Sequence, residues 1–325
     1  MLRIRFTPED LVRVRVSEVV DPMWEVVCSV QVLQLGATRD TLTYAPWLQR
    51  SRGRLKDPTT RAAARVMATV APQSTYFPDF LTPDRLSEGL EADLDRVLST
   101  PNDRLTRETS LLPAQPPWVE AVGSGDPRSL TNFGNAVRHY HNAMIGPDRA
   151  QIEGVLATHR AELWRRLMHG GTESMLDSLG STIRWRAPYL EANYPTDRTI
   201  DLAGRGLLLI PSYFCQRLPI TLVDAGLAPV LVYPVDHPEI TAAETDGYGL
   251  ADLLGVTRAA VLEALAEEAS TTEVARKVGI SVATASHHTT VLRGAGLITS
   301  TRLSNRMVHS LSTLGSVFVT ATDSR

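Results

Sequence analysis

Residues 281–298 read SVATASHHTTVLRGAGLI. The stretch holds the small hydroxyls Ser281, Thr284, Ser286, Thr289 and Thr290, the adjacent imidazoles His287 and His288, and the single charge of Arg293. Hydroxyls and imidazoles both donate and accept hydrogen bonds. A core helix would carry larger apolar groups here, and an ordinary surface helix Glu and Lys. At helical spacing Ala285, His288, Thr289 and Leu292 share one face, which is the inward one. Ala283, Thr284, His287 and Thr290 fall opposite. Short side chains let a helix backbone lie deep in a DNA major groove, where hydroxyls and imidazoles reach base edges and acidic groups would repel phosphate. The chemistry expected is recognition.

Such a helix needs neighbours to hold it. GLADLLGVTRAAVLEALAEEA places Leu254, Val261, Leu262 and Leu265 on one face of a first helix near 257–268. Ser270 and Glu273 have capping-box spacing, so TTEVARKV is a second helix, stopped by Gly279. Ile280 bridges to Ser281, which caps the third. Two short helices joined through a glycine-containing turn are the helix-turn-helix arrangement. After Gly296, LITSTRLSNRMVHSLS reads as two short strands around Ser304-Asn305, and Asn tolerates the positive φ of a tight hairpin. The candidate DNA-binding residues are Ser281, Ala283, Thr284, Ser286, His287 and Thr290 on the helix, with Arg302, Asn305 and Arg306 at the hairpin tip.

Residues 257–315 resemble the winged helix of the ArsR-type bacterial repressors, through TRAAVLEAL, STTEVARKVGIS, SHHTTVLRGAGLI and the wing as far as STLG. Upstream, RFTPEDLVRVRVS, MWEVVCSVQVLQL, YFPDFLTP, GLLLIPSYF and LLGVTRAAVLEAL resemble the long actinobacterial regulators of this type, which carry an N-terminal domain of unknown function. The resemblance implies a homodimer that reads an inverted repeat as a repressor. Three departures matter. The second helix lacks the cysteine pair of the metal-sensing members, so that metal site is not expected. Gly294 follows Arg293 where an acidic residue is usual, and Asn305 stands where the wing usually has Gly.

The chain has 325 residues, 43% hydrophobic and 21% charged, with a net charge of −3. That length suits two or three domains rather than one. The charge is unevenly divided. Residues 271–325 carry six basic and two acidic residues, a net of +4, and residues 1–270 carry −7. Opposite signs assign the polyanion to the C-terminal part. No apolar run approaches the roughly 20 residues of a membrane helix, and charges interrupt the first residues as they do not in a secretory signal. A cytoplasmic protein without a membrane partner is expected. Cys28 and Cys215 are too few for a disulfide framework or a four-cysteine zinc site and read as buried thiols.

Upstream the periodicity predicts a helix over 8–35 interrupted near Pro22, another over 59–71, and an amphipathic one through Leu86, Leu90, Leu94 and Leu98. Residues 113–128, rich in Pro and Gly, read as a linker or exposed loop. Helices follow near 129–145 and 148–169, the second ending at Gly170-Gly171. STIRWRAPYLEANY, RTIDL, GLLLIPSYF and APVLVYPV then predict a small sheet over 181–235 packed on the helices. The fold class expected is α+β: a mostly helical N-terminal region with a small β-sheet over 1–249, serving dimerisation and an effector, then a winged helix-turn-helix over 250–325.

Other chemistries are weaker. His139 and His141 do not share a helix face, and no Cys or carboxylate cluster accompanies them. Asp236, His237 and Glu239 lie in a Pro-containing loop. Ser212 lacks the flanking glycines of a nucleophile elbow, and no phosphate-binding glycine loop occurs. No enzyme, cofactor or metal is expected. His288 faces inward as a packing residue; the upstream aromatics (Trp24, Trp47, Tyr76, Phe77, Phe80, Trp118, Tyr140, Trp164, Trp185, Tyr189 and Phe214) read as core, some able to line an effector pocket. The partners expected are double-stranded DNA, a second copy of the chain and a small-molecule effector. The alternatives are a DNA-binding module that acts without an effector beside an N-terminal domain of other activity, and a winged helix used for protein docking.

Overall fold

The computed structural model describes residues 1–36, 43–73, 76–82, 84–216, 218–237, 254–303, 306–312, 314–316 and 319, with only the backbone at Leu303 and Arg306. The chain divides into two units, Met1–Pro238 and Glu239–Arg325.

The first unit is built around one helix that is buried on every side along its first nine residues. After β1 (Leu2–Arg5), α1 (Pro8–Val12) and β2 (Arg15–Val16), the carboxylate of Asp21 accepts the amides of Met23 and Trp24, both at 3.1 Å, and starts α2 (Pro22–Leu35). Met23, Trp24, Val26, Val27, Cys28, Val30 and Val32 are all buried. A helix that is apolar all round belongs in the middle of a domain. Around it lie α3 (Ala45–Arg54), α4 (Pro58–Val70), α5 (Leu90–Leu98), α6 (Asn102–Thr109), α7 (Pro117–Gly123), α8 (Pro127–Tyr140) and α9 (Arg149–Leu176). α9 is broken at Gly171, whose φ of 72° is outside the helical range.

Two sheets complete this unit. The first has the order β3 (Ile183–Arg186), β4 (Tyr189–Ala192), β1, β5 (Arg198–Asp201), with β1 antiparallel to β4 and parallel to β5. The second is parallel throughout, in the order β2, β6 (Leu208–Ser212), β7 (Val230–Pro234). The runs LLIPS and VLVY are buried at every residue, as strands covered on both faces must be.

The expected α+β class describes the molecule, but four local readings change. The segment 8–35 is not one interrupted helix. Arg15–Val16 is a strand, and Pro22 occupies the first turn of α2, where its missing N–H costs nothing. The segment 113–128 contains α7, which also begins with a proline, Pro117. The strands of 183–234 form two sheets, each recruiting a strand from the N-terminus by pairing that local sequence does not encode. α5 begins at Leu90, leaving Leu86 outside it. Both cysteines are buried free thiols, and the Cys28 side chain hydrogen-bonds Cys215. Among the described residues, no helix is long and apolar enough to cross a membrane.

The second unit is smaller: α10 (Val256–Glu263), β8 (Ala269–Ser270), α11 (Thr271–Val278), α12 (Val282–Gly294), β9 (Ile298–Leu303) and β10 (Arg306–Leu311). The strands form an antiparallel sheet in the order β8, β10, β9. Val261, Leu262, Leu265, Val274, Ala275, Ala285, Leu292, Leu297 and Ile298 make its core. α10 stops at Glu263, short of the expected 268, yet Leu265 beyond its end still packs inward.

Candidate nucleic-acid interface

Local capping sets the direction of α12. The Ser270 hydroxyl accepts from the Glu273 amide at 3.4 Å while the Glu273 carboxylate accepts from the Ser270 amide at 2.8 Å, so α11 starts with two of its free donors satisfied. Gly279 ends it at φ 74° and ψ 31°, a left-handed conformation that costs a side chain about 1–2 kcal/mol. The Ile280 amide reaches back to the Ala275 carbonyl at 3.0 Å. Two residues later the Ser281 hydroxyl accepts from the Thr284 amide at 3.0 Å and the third helix begins.

One narrow stripe of α12 is buried: Ala285, Thr289 and Leu292, at 0%, 3% and 1% exposure. Ser281, Ala283, Thr284, Ser286, His287 and Thr290 are all exposed, so the structure brings the six helical candidates onto one uncovered surface. His288 is half-buried, and its Nδ1 is enclosed without a hydrogen-bond partner. Burial, then the neighbouring His287 and Arg258, lower its pKa, so the ring is neutral at pH 7.

The exposed hydroxyls are not idle. Ser281 Oγ and Thr284 Oγ1 are 2.7 Å apart, and Thr290 Oγ1 donates to the Ser286 carbonyl at 2.8 Å. A hydroxyl oxygen whose hydrogen is so used keeps acceptor capacity of the kind a base amino group needs. Val282 and Val291, 50% and 38% exposed, border this surface, and sequence periodicity did not single them out. Apolar groups in such positions suit the thymine methyl.

The hairpin register closes Arg306 against Leu303 and sets Met307 opposite Arg302. Arg302 is exposed. Ser304 and Asn305 lie outside the described residues, and for Arg306 only the backbone, in β10, is described. Arg276, Lys277 and Arg293 are exposed on the same unit. Lys277 is committed to the Ala264 carbonyl at 3.3 Å and to Glu267 at 3.8 Å.

His309 was not anticipated. Its ring is 4% exposed, with Nε2 2.9 Å from Thr271 Oγ1 and Nδ1 2.8 Å from Ser300 Oγ. One side chain thus ties the first turn of α11 to both strands of the hairpin. Burial and then Arg293 lower its pKa, which keeps the ring neutral with one nitrogen donating and one accepting. The sequence signal is a polar residue at an inward position of the alternation in RMVHSL, normally a sign of a partnered group.

The other candidates are engaged in structure. Ser212 is fully buried, its hydroxyl accepting from the Cys215 amide at 3.1 Å. His139 bonds Thr60 at 3.0 Å and His141 bonds Asn142 at 3.2 Å. His237 Nε2 lies 3.0 Å from the Tyr213 carbonyl, Asp236 is exposed, and Glu239 lies outside the described residues. Among the described residues no group of three His, Cys, Asp or Glu could hold a metal ion. Trp24, Trp47, Tyr140 and Phe214 are core, whereas Trp164 is 50% exposed.

Comparison with known proteins bears on the second unit. Residues 257–301, covering α10, α11, α12 and the start of the hairpin, match a family model described as a helix-turn-helix domain. No curated protein and no solved structure matches the chain.

Proposed function

We propose that the chain is a transcriptional repressor of the ArsR type that binds an inverted-repeat operator as a homodimer. The observation that carries this reading is the outer face of α12, six short side chains exposed together on a capped, slim helix. The match to a helix-turn-helix domain and the +4 charge of residues 271–325 support it. A dimer sets its two reading helices one DNA turn apart, about 34 Å, so a small rotation between copies is enough to release the operator. Unit 1 supports a self-association role through a groove of about 470 Å³ lined by Leu11, Val12, Leu163 and Trp164. Val12 and Trp164 are 83% and 50% exposed there, apolar side chains that a second copy would cover. Ser212, His139, His141 and His237 are engaged in hydrogen bonds within the fold, and we assign them no catalytic role.

The test is fluorescence anisotropy on duplex DNA from upstream of the chain's own gene, against a scrambled duplex, at physiological salt. Preference for one sequence by about 1,000-fold or more is expected. Equal binding to both duplexes, or none, overturns the reading. Arg306→Ala should weaken binding to both duplexes alike and flatten the log–log salt slope by about 0.9.

A further inference from the structure

Unit 1 contains an open cavity of about 1080 Å³ that no part of the DNA-binding reading uses. Its walls come from places distant in sequence: the last turns of α2 (Gln31, Leu35), the segment after α4 (Gln73, Phe77), Thr182, the chain leading into β5 (Asn193 to Thr196, with Arg198), and the segment between β6 and β7 that includes Gln216 and Ile220. Its size is that of a site for a drug-sized organic molecule.

Three features of the lining specify the occupant. Gln216 Nε2 is buried yet makes no hydrogen bond among the described residues, an amide donor left unsatisfied at the cavity wall. Buried donors of this kind are rare because the lost hydration is not repaid until an acceptor arrives. Among the described lining residues Arg198 is the only charged side chain; it gives one N–H to the Val223 carbonyl at 3.1 Å, and a guanidinium has five. Phe77, Leu35, Leu218, Ile220 and Val223 supply an apolar floor on which Leu218 and Val223 remain 38% and 51% exposed. Unsatisfied donor, lone cation and apolar floor together call for an acceptor head on an apolar body. No carboxylate is among the described residues that line this cavity, so a cation here would meet Arg198 uncompensated.

We propose that this cavity binds a small organic acid: a carboxylate or related oxyanion head held by Gln216 and Arg198, on an aromatic or aliphatic body seated against Phe77 and Ile220. As the site of a regulatory effector the proposal rests on the repressor reading; as a binding site it does not. The amide is suited to a carboxylate oxygen and the guanidinium fork to its partner. Gln216 also lies three residues beyond Tyr213, whose carbonyl receives His237 Nε2 near the end of this unit.

The test uses the full-length protein and anilinonaphthalenesulfonate, a fluorescent probe with an apolar body and an anionic head. We expect saturable binding, displaced by benzoate but not by benzylamine, which has the same ring and a cationic head. Gln216→Leu and Arg198→Leu should each weaken the probe and benzoate about tenfold or more, roughly 1.4 kcal/mol each. Ile220→Trp should block both ligands by filling the floor. Each variant is first required to keep the wild-type melting temperature, and Arg198→Gln replaces any that does not. Unchanged affinity in the folded variants, or equal displacement by benzylamine, overturns the site. Loss of sequence-specific DNA binding with benzoate affinity intact counts against the repressor and leaves the site standing.

Discussion

Helices α2 and α12 are nearly equal in length, 14 and 13 residues, and are used in opposite ways. α2 buries ten of its residues and α12 three. In α2 the Glu25 carboxylate and the Ser29 hydroxyl point inward and meet other segments. Glu25 accepts the amides of Tyr213 and Phe214 at 2.7 and 3.0 Å, and Ser29 meets Tyr140 at 3.1 Å. In α12 most polar side chains are exposed, and the hydroxyls with partners find them within the helix or its cap. The first helix holds a domain together; the second is held so that one side stays available. Burial on all sides and exposure on one are both written by side-chain size, with large apolar groups in one and Ala, Ser and Thr in the other.

Four measurements break or sharpen that contrast. Trp24→Ala, in the middle of α2 and fully buried, should cost about 3–5 kcal/mol in chemical denaturation followed by circular dichroism. A loss below about 1 kcal/mol would mean that α2 is not the centre of its unit.

Next comes the proton on Glu25. Burial pushes its carboxyl from an ordinary 4.5 up to about 7, outweighing the two backbone amides that favour the charge. Its folded value lies above the unfolded one, so the stability it contributes is complete below about 4.5 and is lost as pH rises through about 7. Wild-type protein should therefore lose stability relative to Glu25→Gln across that window, by roughly 3 kcal/mol at most. Asp21, also pushed up to about 7 by burial, adds a slope of the same sign in both proteins. Parallel stability curves for the two proteins between pH 5 and 8 would place the Glu25 carboxyl outside this window.

A smaller effect belongs to the second unit. Ser270→Ala removes the hydroxyl half of the capping box and should cost about 1 kcal/mol, most of it in the unfolding of residues 254–312. Hydrogen exchange read at Val274 and Ala275 is the appropriate probe. The smallest effect is His287→Ala. The side chain is exposed, so stability should change by less than about 0.5 kcal/mol, while the preferred DNA sequence shifts. Destabilisation by 2 kcal/mol, with sequence preference unchanged, would show the outer face of α12 to be a packing surface.

What sequence made legible follows the range of the interaction. Ser270 with Glu273, Gly279 and Ser281 act within a few residues of themselves, and each does what its type and spacing indicate. The outward set of α12 was legible for the same reason, because helical period alone sorts it. The two sheets were not. β1 pairs with strands some 190 residues away, as Leu2 opposite Ala192 shows, and short alternating runs do not name their partners. Pro22 and Pro117 were read as breaks because proline ends helices more visibly than it begins them. The cavity at Gln216 was invisible for the strongest version of this reason: its walls meet only after two sheets and a central helix have formed.

The hydroxyl bonds that stay inside α12 have a consequence for how such a protein changes over generations. Thr284 leans on Ser281 and Thr290 on the Ser286 carbonyl, while Ala285, Thr289 and Leu292 alone anchor the helix. Apart from Ser281, which caps the helix, substitutions on the outer side therefore leave the hydrophobic anchor undisturbed, and that side can change without compensating mutations in the core. What holds the helix in place and what it leaves open to change are written in different letters of the same thirteen-residue word.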